Sequence, residues 1–258
     1  LLCTTRHLYE GGDHVIIVGE VVEYEHEEKP PLLFHGGWYA DKLHRPRPDD
    51  EEGPAVLYEV EGRIATITLN RPDTRNALAD DVVAALVAAL ERADADPAIS
   101  CAILTGAGDS FCSGGNIKQI KAMTAERNLS PLEIEQWYRD NIQRIPRTME
   151  RLSLPVIAAV NGHAIGAGCD LASMCDMRIC ADNAQFAESF LRVGIIPGDG
   201  GAWFLPRIIG MARASQMLFT GEFIDARKAE RYGLVSEVVP LAELRACALA
   251  LAEKVVQF

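Results

Sequence analysis

Two glycine-rich segments, each set directly behind an apolar run of strand length, constrain this chain more than any other feature. Phe111-Cys-Ser-Gly-Gly-Asn-Ile-Lys118 follows the run Cys101–Thr105, and Asn161-Gly-His-Ala-Ile-Gly-Ala-Gly-Cys-Asp-Leu171 follows Val156–Val160. Glycine lets the main chain turn sharply and lets backbone N–H groups approach a ligand closely. A helix that starts at such a turn aims its unpaired N–H groups at negative charge. A dinucleotide-binding turn is one reading of the second segment, but Leu171 stands where the third glycine belongs and the unit lies mid-chain, which argues against it. Plain structural glycine is another reading of either turn alone. Both turns in this order, about 50 residues apart, are far more specific.

Around these turns the pattern alternates between strand and helix. Leu57–Val60 and Arg63–Asn70 form an expected hairpin about Glu61-Gly62, with Ile64, Thr66 and Thr68 alternating in the second strand. Asp80–Ala93 is rich in Ala, Leu and Val with two aspartates in its first turn, a helix pattern. A longer helical region, interrupted near Pro131, precedes Val156–Val160; beyond it come a helix start at Gly166–Met174, a strand at Met177–Ala181, and helices at Ala212–Phe219, Ala226–Tyr232 and from Leu244 onward. Such alternation predicts an α/β domain.

The first 53 residues differ in kind. They hold 5 Lys/Arg against 12 Asp/Glu, while residues 54–258 hold 20 against 25, and five of the six histidines lie in the first stretch. A buried strand is expected over 14–22 and a short strand and turn over 32–39. Residues 41–53, with Pro46, Pro48 and an acidic run, read as a linker. The overall charge of -12 argues against a nucleic-acid partner, which demands a basic face. No apolar run nears the roughly 20 residues of a membrane span, and no charged-then-apolar leader opens the chain, so a soluble, cytoplasmic protein is expected. The seven cysteines lack CxxC spacing and the histidines lack ligand spacing, so no metal site is expected. The chain opens without Met and stops at Phe258 inside an apolar helical pattern; it is expected to be trimmed at both ends, its C-terminal helical segment included.

Five motifs in succession carry a resemblance. They are Arg71-Pro-Asp-Thr-Arg-Asn-Ala-Leu78, the segment Leu104–Ile117, the segment Ile157–Asp170, Gly194-Ile-Ile-Pro-Gly-Asp-Gly-Gly201 and Tyr232-Gly-Leu-Val235. Over about 54–258 the chain resembles the crotonase (enoyl-CoA hydratase/isomerase) family. That resemblance implies a crotonase-like spiral of ββα units, here with a short N-terminal β appendage. It also implies an acyl-CoA substrate whose thioester carbonyl sits between the N–H groups of Gly115 and Ala167, with Ala77, Ser113, Gly114, Ile117, Gly166, Pro197 and Gly198 as substrate-binding positions. No cofactor is implied beyond the coenzyme A of the substrate itself, and homotrimers or hexamers are the family's usual assemblies.

Asp170 matches the first of the two acids of the hydratases, where Glu is usual; the plain alternative is an aspartate that merely complements its helix dipole. Phe190 stands where their second acid belongs, and Gly198 where another family acid falls. Glu188 and Asp199 are each displaced from those positions. If residues 186–190 are extended, Glu188 points the same way as Phe190, about 6.5 Å along the strand, and joins Asp170 as a catalytic candidate; a solvated or salt-bridged glutamate is the plain alternative. The leading reading is hydration of a 2-enoyl-CoA, with one-carboxylate double-bond isomerisation and an inert acyl-CoA-binding scaffold as alternatives. His163, beside the second turn, reads as a hydrogen-bonded structural histidine.

Residues 1–40, through Arg6–Val22 and Pro31–Tyr39, resemble the C-terminal end of a flavin reductase-like split barrel. The rest of that barrel is missing and the remnant cannot close one. Flavin binding is therefore not expected, and a flavin-dependent oxidoreductase remains only as a rival to the acyl-CoA reading.

Overall fold

The computed structural model describes the strands at 2–10, 15–23, 32–35 and 38–41, and residues 53–117, 120 and 129–257. The chain divides into two compact units, Leu1–Gly53 and Pro54–Phe258. In the first, β1 (Leu2–Glu10) pairs antiparallel with β2 (Val15–Glu23), and β3 (Leu32–His35) with β4 (Trp38–Asp41). The sequence marks β2 and the β3 region but not β1, which lacks an unbroken apolar run. The linker expected over 41–53 lies almost wholly outside the described residues.

The second unit is built on two sheets. The larger runs in the order β14-β11-β9-β7-β6-β5, from Glu237–Val239, Met177–Ala181, Val156–Val160, Cys101–Gly106, Ile64–Leu69 and Val56–Glu61. Only the β5–β6 hairpin is antiparallel. Every residue of β9 is buried, as expected of a parallel strand covered on both faces. On one face lies α1 (Asp80–Ala95), which buries Val83, Leu86 and Leu90; each such side chain contributes about 1.5–3 kcal/mol. On the other, α8 (Leu244–Val256) lays Leu244, Ala248 and Ala252, one helical turn apart, against Ile103, Ile157 and Ile179.

The smaller sheet runs β13-β12-β10-β8, from Phe223–Asp225, Gln185–Ala187, His163–Ile165 and Ser110–Cys112. Each of these strands has three residues, too few for periodicity to reveal. They supply the second strand of the repeating unit: β7 leads to β8, β9 to β10 and then α4 (Ala167–Met174), and β11 to β12. The expected spiral of ββα units is thus present. Because β8, β10 and β12 run parallel, their C-terminal ends share one edge, the usual place for a ligand in an open α/β sheet.

Two further elements went unmarked in the sequence. A helix, α5 (Gly201–Ile209), starts on paired glycines and carries Pro206 inside it, both poor helix signals. Residues 186–190 are also not extended throughout. The chain leaves β12 at Glu188 and winds into a 3-10 turn over Ser189–Val193, so the alternation that would align Glu188 with Phe190 does not apply.

Candidate active site

The two glycine-rich turns meet at the shared edge, backbone against backbone. Gly114 and Gly166 have φ of 96° and 54°, open to glycine at little cost. A Cβ on Gly114 would lie 2.6 Å from the Ile165 carbonyl oxygen and 3.4 Å from the Ala167 nitrogen, and one on Gly168 would lie 2.1 Å from the Cys112 carbonyl oxygen. The first turn is held from below. Asn76, fully buried, accepts from the Arg71 N–H at 2.9 Å and donates to the carbonyls of Ala107 and Ser110. Leu78 N–H donates to the Gly114 carbonyl and Ser113 N–H to that of Arg75. The second turn is tied to β12 by Gly166 N–H donating to the Ala187 carbonyl at 2.7 Å. The N–H groups of Gly115 and Ala167 donate to no other group among the described residues.

Both residues line a cleft of about 730 Å³. Of the positions expected to bind substrate, Ser113, Gly114, Ile117, Gly166 and Gly198 line this cleft, and Ala77 and Pro197 do not. Its apolar walls are Trp137, Tyr138, Ile142, Phe190, Val193 and Ile195. Trp137 and Tyr138 sit on α2 (Pro131–Asp140), opened by a capping box between Ser130 and Glu133. That box is visible in the sequence; which face of the helix meets the cleft is not. Phe190 is buried, its ring 3.9 Å from the Cβ position of Gly166.

Three carboxylates converge behind the second turn. Asp170 stands in the first turn of α4, Glu188 directly follows β12, and Asp199 precedes α5. Their side chains are 0%, 0% and 5% exposed. No amide, hydroxyl or basic group donates to either oxygen of Asp170 or Glu188, nor to Oδ1 of Asp199. Among the described residues they interact with one another and, at Glu188, with the Cys169 thiol, so the cluster needs shared protons. Burial, then the charges of Asp199 and Glu188, push Asp170 well above the usual carboxylate range. Burial also raises Glu188, to about 7, and raises Asp199, while proton sharing from Asp170 restrains both. The three carboxyls therefore hold protons to higher pH than three separate ones would.

Asp170 and Glu188, the two acids singled out in the sequence, are thus brought together, but neither lines the cleft. Asp199 does. The signal for it was thin: an aspartate one residue past a family position, beside two glycines. His163 lies in β10, away from the cleft, with a buried Nδ1 that has no partner; the hydrogen bond expected there is not made at that atom. Among the described residues no cluster of three His, Cys, Asp or Glu has the arrangement of a metal site, and no helix is long and apolar enough to cross a membrane.

The sequence profile of the enoyl-CoA hydratase/isomerase family matches residues 59–257. A short-chain-enoyl-CoA hydratase of Clostridium acetobutylicum is 40% identical over 204 residues, 78% of this chain and 75% of that one. A probable mitochondrial enoyl-CoA hydratase of Dictyostelium discoideum is 36% identical over 200 residues, 78% of this chain and 69% of the relative. The solved enoyl-CoA hydratase of Bacillus anthracis superposes with a TM-score of 0.70 at 34% identity, covering 79% of this chain and 77% of that one. Two unused amides at the joined ends of parallel strands, within this matched span, are what that relationship calls for, and the chain belongs to the enoyl-CoA hydratase/isomerase family.

Proposed function

We propose that the protein adds water across the double bond of a 2-enoyl-CoA. One observation carries this: Gly115 and Ala167, whose N–H groups have no acceptor among the described residues, line a cleft that Asp199 also lines. As the water oxygen bonds to the β-carbon, the double-bond electrons move onto the thioester oxygen. Two preorganised donors stabilise that oxyanion, and losing one such donor typically costs about 3 kcal/mol. Ala167 opens α4, so the positive end of the helix dipole adds to the effect. A carboxylate of the cluster takes a proton from that water, a proton passes from the cluster to the α-carbon, and the enolate re-forms the thioester carbonyl of a 3-hydroxyacyl-CoA. The apolar walls receive the acyl chain. Coenzyme A enters as part of the substrate, and the sequence of steps calls for no metal or redox group. Similarity to proteins named as enoyl-CoA hydratases supports hydration.

The test sets hydration of crotonyl-CoA beside isomerisation of a 3-enoyl-CoA on the same preparation. Hydration at a steady-state rate is expected. A protein that isomerises but never hydrates would remove this reading and leave Phe190, in the second acid's seat, as the reason.

A further inference from the structure

We propose that Asp199 is the carboxylate that touches the acyl group and carries its proton, and that Asp170 is a positioning residue acting through it; this rests on the acyl-CoA reading above. Of the three clustered acids only Asp199 lines the cleft. It also borders the narrow void behind the cleft that Ala167 and Leu171 line, so it bridges substrate space and interior. Its Oδ1 is buried and accepts from no donor. Asp199 thus joins an interior carboxylate oxygen with no partner among the described residues to the cleft that Gly115 and Ala167 also line. Asp170 is held away from the cleft. A Cβ on Gly201 would lie 1.6 Å from its Oδ1 and 2.7 Å from its Oδ2, so the carboxyl is pressed against the backbone where α5 begins.

Among the described residues the titratable groups that act on Asp199 are Asp170 on α4, Glu188 after β12, Tyr138 on α2 and Cys112 on β8, and none of these is basic. In this proposal a proton held on Asp170 is shared with Asp199, which orients it and offsets part of the rise that burial causes.

Hydration then needs one carboxylate only. Ionised Asp199 takes a proton from the attacking water as the water oxygen bonds to the β-carbon. The double-bond electrons move onto the thioester oxygen between the two amides. Asp199 gives the same proton to the α-carbon, the enolate re-forms the thioester carbonyl, and Asp199 is ionised again. Water has been added whole. This explains how Phe190 can occupy the second acid's seat.

The experiment compares wild type, Asp199→Asn and Asp170→Asn in two assays across pH: hydration of crotonyl-CoA, and exchange of the α-protons of butyryl-CoA with deuterium. Asp199→Asn is expected to lose about 10²–10⁴-fold in both rates with KM nearly unchanged, the range for a removed general base. Asp170→Asn is expected to keep kcat within about tenfold, because its amide N–H can donate where the acid O–H does, and to move the acidic limb of the rate profile. An inactive Asp170→Asn beside an active Asp199→Asn overturns the proposal, and so does equal loss in both. Circular dichroism checks the fold; should Asp199→Asn fail it, Asp199→Ser takes its place with the same expected outcome. Wild type that exchanges without hydrating removes the hydration reading alone, and Asp199 is then judged on exchange. Wild type that does neither overturns both.

Discussion

Replacing Gly168 with alanine sets two opposed effects against each other at the joint between the turns. Gly168 lies in the first turn of α4, and on an isolated helix alanine gains about 0.8–1.0 kcal/mol over glycine. Here the new Cβ would sit 2.1 Å from the Cys112 carbonyl oxygen and 2.8 Å from its carbon. An ordinary close carbon–oxygen contact is roughly 3.3 Å, so the two turns must part by about 1 Å. Overpacking of this kind costs about 1–3 kcal/mol, and the helical gain offsets part of it. The net loss of stability is then between about zero and 2 kcal/mol, small enough for the variant to fold. Catalysis does not share in that offset. The displaced contact fixes the Ala167 N–H against the first turn, and a misplacement of about 1 Å can cost about 10²-fold in rate. Urea denaturation and steady-state hydration of crotonyl-CoA on one preparation separate the two effects. The expectation is near-normal unfolding with kcat reduced about a hundredfold. A kcat within about twofold of wild type, in a folded variant, would refute the geometry from which this was worked.

Two further outcomes follow from buried polar groups. Asn76→Ala removes three hydrogen bonds at a fully buried residue with φ of 56°; each stranded partner costs about 1–3 kcal/mol, so urea denaturation should show a loss of about 3 kcal/mol or more, and a loss under about 1 kcal/mol would contradict the role assigned to it. The carboxylate cluster sets a pH dependence of definite sign. Glu188 is raised from the usual 4.5 to about 7 in the folded state, so the folded protein holds more protons than the unfolded chain between those values. Stability from this group is present in full below 4.5 and is lost as pH climbs through about 7; Asp170 and Asp199, also raised, act in the same direction. Urea midpoints from pH 5 to 8 should therefore fall more steeply for wild type than for Glu188→Gln, and parallel curves would show that the cluster is not linked to folding.

Much of this protein is determined locally and was legible in the chain. The buried strands at Cys101–Gly106 and Val156–Val160 need only a run of apolar residues, because a parallel strand covered on both faces has no polar side to show. The glycines at 114 and 166 mark positive φ, and that is a property of one residue's backbone. Gly115 and Ala167, beside those turns, were assigned the oxyanion role by the family resemblance rather than by the backbone. The strands of the smaller sheet were not legible, since three residues carry no period, and α5 was hidden behind Gly200, Gly201 and Pro206. Which carboxylate lines the cleft was decided only by tertiary structure. Asp170, Glu188 and Asp199 come from three separate elements, and what ranks them is where each chain segment turns. Glu188 turns inward at the 3-10 turn, Asp170 is pinned against Gly201, and Asp199 is left at the wall. Their shifted protonation has the same origin: burial beside one another raises the cost of charge, and neither burial nor proximity exists until the chain has folded.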